Sequence, residues 1–141
     1  MFQSEIAFAE KLADASGDVV LTYFRTPVRV DDKADASPVT IADRESERVM
    51  REMIRAAYPH HGIIGEEYGR ENENAEFAWV LDPIDGTKSF ITGKPVFGTL
   101  IALLHNGLPV LGIINQPYTR ERWVGAKGRR TTLNGREIAT R

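Results

Sequence analysis

The order of hydrophobic periods predicts an α+β fold, two helices packed on an antiparallel sheet. Two observations carry this expectation. Up to Tyr58 the apolar residues recur at helical spacing, and from Gly62 onward they fall in short Val/Ile/Leu-rich runs separated by turn residues. A length of 141 residues suits one domain. With 42% hydrophobic and 27% charged residues, the chain has the balance of a globular protein rather than a disordered one.

The first helix spans residues 4–25, with Ile6, Ala9, Leu12, Ala13, Val20, Tyr23 and Phe24 near one face and Pro27 ending it. Residues 28–40 read as a short strand and then a polar loop. The second helix runs from Ile41 to Tyr58 with Val49, Met50, Met53, Ile54 and Ala57 as its core face. Thr40 and Asp43 resemble a capping box, and Pro59 closes the helix. Strands follow at Gly62–Gly65 and Phe77–Leu81, around a charged loop at 68–76. Residues 88–92 suit one helical turn. Strands at 97–104 and 108–115 join through Asn106-Gly107, a strong hairpin signal. A strand at 120–126 and a hairpin around Asn134-Gly135 complete the chain.

Composition excludes several functions. A net charge of −2 offers no basic field for nucleic acid or a membrane surface. The absence of cysteine excludes disulfides and thiolate metal sites and fits a cytoplasmic setting. No apolar run approaches the ~18–20 residues that span a bilayer, and the N-terminal MFQSEIAFAEK lacks a signal pattern.

The most informative stretch is Asp82-Pro83-Ile84-Asp85-Gly86-Thr87. An apolar strand delivers two carboxylates into a turn that Pro83 stiffens and Gly86 opens to a ligand. A helical turn starting near Thr87 would face its free N–H groups to an anion. An ordinary acidic turn has the same composition. Gly65-Glu66-Glu67 follows another strand. If both strands share a sheet edge, Glu66, Asp82 and Asp85 could bind Mg²⁺-type ions through oxygen, with the Ile84 carbonyl as a further ligand. Otherwise Glu66-Glu67 is a solvated loop. Asp43 either complements the helix dipole or pairs with the Thr87 hydroxyl to take a proton from a water. His60, His61 and His105 suit helix-end or surface positions better than a zinc site. Arg120-Glu121-Arg122 and Arg129-Arg130 read as solvated hairpin faces, and Trp79, Phe97 and Trp123 as core.

Lys33 with Ser37-Pro38-Val39-Thr40-Ile41-Ala42-Asp43, then Gly65-Glu66-Glu67, then Asp82-Pro83-Ile84-Asp85-Gly86-Thr87, resemble the ordered motifs of inositol-monophosphatase-like phosphatases. The likeness covers essentially the whole chain. It implies a layered α/β sandwich and a Mg²⁺-dependent phosphomonoesterase with two or three ions in the complete site. By the resemblance Glu66, Asp82, Asp85 and the Ile84 carbonyl are metal ligands, and Gly86 and Thr87 hold phosphate through N–H groups. Asp43 and Thr87, with Glu66, serve the activated water. Glu67 stands beside the site, and Lys33 lies on a mobile loop near the outermost ion.

The run Ser89–Leu103 looks most like the histidinol-phosphate phosphatase branch. The expected substrate is histidinol phosphate, a small phosphorylated metabolite of histidine biosynthesis. Alternatives within the family are an inositol phosphate or a 3′-phosphonucleotide. Family members carry a further Trp-Asp motif, yet neither Trp79 nor Trp123 is followed by Asp. Residues 1–141 are therefore expected to be an N-terminal metal- and phosphate-binding domain without its C-terminal partner. That piece is expected to self-associate and turn over little alone, and the complete enzyme to be a homodimer. Rival readings are an aspartyl-phosphate phosphatase, whose acids would stand two rather than three apart, and a non-catalytic module binding Mg²⁺ or a partner chain.

Overall fold

The computed structural model describes residues 1–26, 30–32 and 38–140, with segments 30–32 and 38–40 described by backbone alone. Helix α1 (Gln3–Tyr23) buries Ile6, Ala9, Leu12, Ala13, Ser16, Gly17 and Val20. It stops two residues before the expected end because Phe24 is extended, its side chain buried beneath the helix end. Strands β1 (Val30–Asp32) and β2 (Pro38–Thr40) pair antiparallel, so residues 38–40, read as loop, form a second strand. Lys33 and Ser37 lie outside the described residues, as does the Thr40 side chain of the expected capping box.

Helix α2 (Ile41–Ala57) buries Ala42, Asp43, Ser46, Glu47, Met50, Arg51 and Ile54. The expected face is therefore rotated. Val49 is only half-buried and Ala57 is exposed. The helix turns three charged residues inward, and two of them, Glu47 and Arg51, bond to each other and to the chain just beyond β3.

The main sheet has eight strands in the order β10-β9-β8-β7-β6-β5-β3-β4. They are β3 (Gly62–Gly65), β4 (Gly69–Glu71), β5 (Phe77–Asp85), β6 (Gly98–His105), β7 (Leu108–Gln116), β8 (Glu121–Ala126), β9 (Arg129–Leu133) and β10 (Arg136–Glu137). A five-residue helix α3 (Thr87–Ile91) follows β5. Both expected hairpins form, and Asn106-Gly107 and Asn134-Gly135 take the positive φ angles that a tight primed turn demands.

One correction concerns the direction of pairing. The sheet is mixed, not antiparallel, because β3 and β5 run parallel. The cause is β4, hidden in the segment read as a charged loop. It pairs antiparallel with the outer side of β3 and returns the chain, so that β5 enters from the same end as β3.

Helices α1 and α2 cover one sheet face. Ile6, Leu12, Met50 and Ile54 pack there against Ile63, Trp79, Leu81, Ile101, Leu103 and Ile113. On the other face Ile64, Val80, Leu100, Ile114 and Trp123 line an open trough of about 920 Å³. Trp123 is thus half-exposed rather than core, whereas Trp79 is fully buried and Phe97 nearly so. A second cluster of Val20, Phe24, Ala42, Ile84, Phe90 and Phe97 lies under the Asp82–Thr87 turn. Among the described residues, no helix is long and apolar enough to cross a membrane.

Candidate metal and phosphate site

The parallel pair sets the first relation in the site. Gly65 is opposite Leu81, so Glu66 stands beside Asp82 where β3 ends. Both line one end of the open trough. The second relation comes from a bulge in β5. Asp82 pairs with Leu100 and Asp85 with Gly98, leaving Pro83 and Ile84 opposite Thr99 alone. Leu100 and Gly98 are two apart and so share a face of β6. The bulge thereby brings Asp82 and Asp85, three apart in sequence, to that same face. The strand thus continues past the Asp-Pro step that was expected to end it.

Buried hydroxyls hold the bulge in place. Thr99 Oγ1 donates to the Pro83 carbonyl at 2.7 Å and lies 3.5 Å from Ser16 Oγ, which is 2.5 Å from Ser46 Oγ. All three side chains are 0% exposed, so the relay ties α1, α2 and β6 to the turn. The Ile84 side chain anchors the turn in the second cluster. Gly86 adopts φ 94°, and a Cβ there would lie 2.7 Å from the Val96 carbonyl oxygen. No other residue fits that position without strain.

Asp43, in the first turn of α2, is 5% exposed. Burial, then the carboxylates of Glu67, Asp82, Glu66 and Glu47, push its pKa up to about 8. Asp82 is pushed up to about 6 by burial and then by Glu66, Asp85, Glu67 and Glu47. Asp43, Glu66, Glu67, Asp82 and Asp85 therefore form one electrostatically linked acidic cluster, assembled from α2, the β3 end and the β5 bulge. Thr87 opens α3 beside it, its hydroxyl donating to the Ile84 carbonyl at 3.2 Å. The expected partner of that hydroxyl was Asp43. The hydroxyl's 3.2 Å bond to Ile84 lies within its own turn.

Among the described residues, no three His, Cys, Asp or Glu side chains close on one point as a finished metal shell. The donor chemistry fits a hard divalent cation all the same. The groups at hand are carboxylate and carbonyl oxygens, and the acids are crowded enough that two of them hold protons more tightly than aspartate ordinarily does. A bound cation would relieve that crowding.

Sequence reasoning missed Glu47. Its carboxylate is 0% exposed and accepts from Arg51 Nε, Glu67 N and Tyr68 N, each at 2.9 Å. The available signal was a Glu and an Arg four apart, flanked on one helix face by Ala42, Ser46, Met50 and Ile54. The histidines play no part in the cluster. His61 accepts the indole N–H of Trp79 at 3.0 Å and stacks on Tyr58, and His105 stacks on Phe77 and pairs with Glu76. Arg122, expected in solvent, is half-buried and bonds Asp14 and Asn115.

The sequence profile of the inositol monophosphatase family matches residues 2–141. The chain is 58% identical over 137 residues to bifunctional phosphatase IMPL2, chloroplastic, of Arabidopsis thaliana, covering 96% of this chain and 40% of that protein. It is 38% identical to a histidinol-phosphatase of Mycobacterium tuberculosis, covering 92% of this chain and 50% of that one. Its fold superposes on an inositol monophosphatase from Zymomonas mobilis with TM-score 0.86 and 50% identity, covering 100% of this chain and 54% of the other. The chain thus spans about half the length of the relatives it matches. Profile, relatives and fold agree with the motifs, and the chain belongs to the inositol monophosphatase family.

Proposed function

We propose that the protein serves a Mg²⁺-dependent phosphomonoesterase acting on a small phosphorylated metabolite. The observation that carries this reading is the convergence of Asp43, Glu66, Asp82 and Asp85 from three separate elements beside the Gly86-Thr87 turn. Glu66, Asp82, Asp85 and the Ile84 carbonyl hold the cation. Bound Mg²⁺, two or three ions, supplies charge stabilisation at the phosphoryl oxygens and a more acidic water. The N–H groups of Gly86 and Thr87 orient the phosphate at the open turn. The Thr87 hydroxyl, released from Ile84, would orient the attacking water, and Asp43 would take its one proton while Glu66 stays on the cation. The new P–O bond to water would replace the ester P–O bond, and the metabolite would leave as its alcohol. No side chain is phosphorylated.

Histidinol phosphate is the proposed substrate. The run Ser89–Leu103 supports it, as does the likeness to a protein named histidinol-phosphatase. The likeness to a structure described as an inositol monophosphatase supports the alternative. Phosphate release from histidinol phosphate, inositol 1-phosphate and a 3′-phosphonucleotide, compared by kcat/KM in the intact protein, tests the reading. A preference for either of the latter two overturns the substrate. Failure to release phosphate from all three at saturating Mg²⁺ overturns the activity. A cytoplasmic setting and a homodimeric complete enzyme belong to the same proposal, and fractionation and light scattering check them.

A further inference from the structure

We propose that Glu47 is a positioning residue for Glu66, its buried carboxylate holding the turn on which Glu66 and Glu67 stand. The inference rests on the metal-site reading above and extends it to a residue behind the site.

The geometry is specific. Each oxygen of Glu47 takes one backbone N–H of the turn, Oε1 from Glu67 and Oε2 from Tyr68, both at 2.9 Å. Arg51 neutralises the carboxylate from the opposite side through Nε. Arg51 also donates to the Gly69 carbonyl and to Glu71 Oε1, the latter at 2.9 Å. One helical ion pair therefore grips the segment from Glu67 to Gly69 at both ends. Gly65 makes the approach possible, since a Cβ there would stand 2.3 Å from Glu47 Oε2. The strand end and the carboxylate are fitted to each other.

Stability alone does not account for this arrangement. A buried ion pair is a poor way to stabilise a fold, because desolvation offsets the attraction. Two N–H groups of a tight turn are satisfied equally well by water at a surface. What the buried carboxylate adds is a fixed direction for the turn, and the side chain that turn presents is Glu66, beside Asp82. Groups that orient ligating carboxylates matter to a metal nearly as much as the ligands do.

The test measures Mn²⁺, as a stand-in for Mg²⁺, binding to the intact protein by loss of the free-ion EPR signal, with thermal stability read in parallel. Glu47→Gln is expected to weaken binding by about 10–100-fold, with Glu47→Asp falling between it and the wild type. Gly65→Ala, which leaves Glu47 and Arg51 unaltered in sequence but crowds the carboxylate out of its place, is expected to weaken binding similarly. Met50→Ala, one turn away in the core, is expected to lower the melting temperature and leave Mn²⁺ affinity unchanged. Asp85→Asn tests the site itself. If Asp85→Asn binds Mn²⁺ as the wild type does, the site reading fails and the inference with it. If Asp85→Asn weakens binding but Glu47→Gln does not, the positioning role alone is overturned. Should Glu47→Gln fail to fold, wild-type affinity in Gly65→Ala overturns it equally.

Discussion

The hydroxyl of Thr87 donates to the carbonyl of Ile84 at 3.2 Å, across the turn that also presents Asp85 and Gly86. At that length the bond is weak and easily exchanged for a water. The hydroxyl is thus available to a nucleophile without a large rearrangement. Thr87→Ala is expected to lower kcat strongly while metal affinity stays near wild type, and Thr87→Ser to keep much of the rate. Equal rates in the two variants, measured by phosphate release at saturating Mg²⁺, would remove the hydroxyl from the mechanism.

Asp85 is exposed at the end of the bulge and packs into no core cluster. Asp85→Asn should therefore fold normally. Loss of an ionised ligand should lower Mg²⁺-dependent turnover by about a thousandfold or more. Near-wild-type turnover at ordinary Mg²⁺, together with an unchanged circular dichroism spectrum, would sink the ligand assignment.

Burial holds the pKa of His61 below its ordinary 6.5, against the opposing pull of Glu5 and Glu76. Its Nδ1 accepts the Trp79 indole N–H, which requires that nitrogen to be unprotonated. The folded protein thus binds this proton less readily than the unfolded chain. The stability contribution is complete above pH 6.5 and is lost as pH falls from there toward the folded value. His61→Gln keeps an acceptor but cannot titrate. Urea denaturation on either side of pH 6.5 should show a shallower acid loss in the variant. Identical slopes would show that His61 does not contribute.

The sheet face opposite the helices exposes Ile114 by 50%, beside Val80, Leu100 and Trp123. An apolar face of this kind associates in water. Residues 1–141 produced alone are expected to form oligomers through this face, and Ile114→Lys to shift them toward monomer. Light scattering decides between that outcome and a monodisperse wild-type monomer, which would show that the face is tolerated in water.

Much of this architecture was legible because some residues have few structural options. Asn106-Gly107 and Asn134-Gly135 require φ above zero and form the turns they announce. The run Asp82–Thr87 combines a strand end, a Pro and a Gly, and it lands at the site as a unit. The parallel pairing of β3 with β5 was not legible. The strand responsible, Gly69-Arg70-Glu71, has no apolar alternation and is fixed instead by Arg51 and Arg55 gripping Glu71. The inward turn of Glu47 escaped for a related reason. Periodicity ranks positions by apolarity, whereas Glu47 and Arg51 are buried by the partners they meet across the fold. Asp43 was read as a site residue, but its deep burial follows from the same rotation of α2.

The bulge in β5 gives the spacing of its two acids a meaning. In an uninterrupted strand, side chains three apart are out of phase, one on each side of the sheet. Here Pro83 and Ile84 share the single partner Thr99, and this half-period slip puts Asp82 and Asp85 back in phase. Deleting Pro83 or Ile84 would leave the acids two apart and in phase in a regular strand, but would remove either the carbonyl that Thr99 binds or the side chain that anchors the turn. The tolerance of this segment to change is therefore asymmetric. Exchanging a side chain there changes one group, whereas losing a residue would strip out the buried backbone fastening between the two acids while sparing both of them.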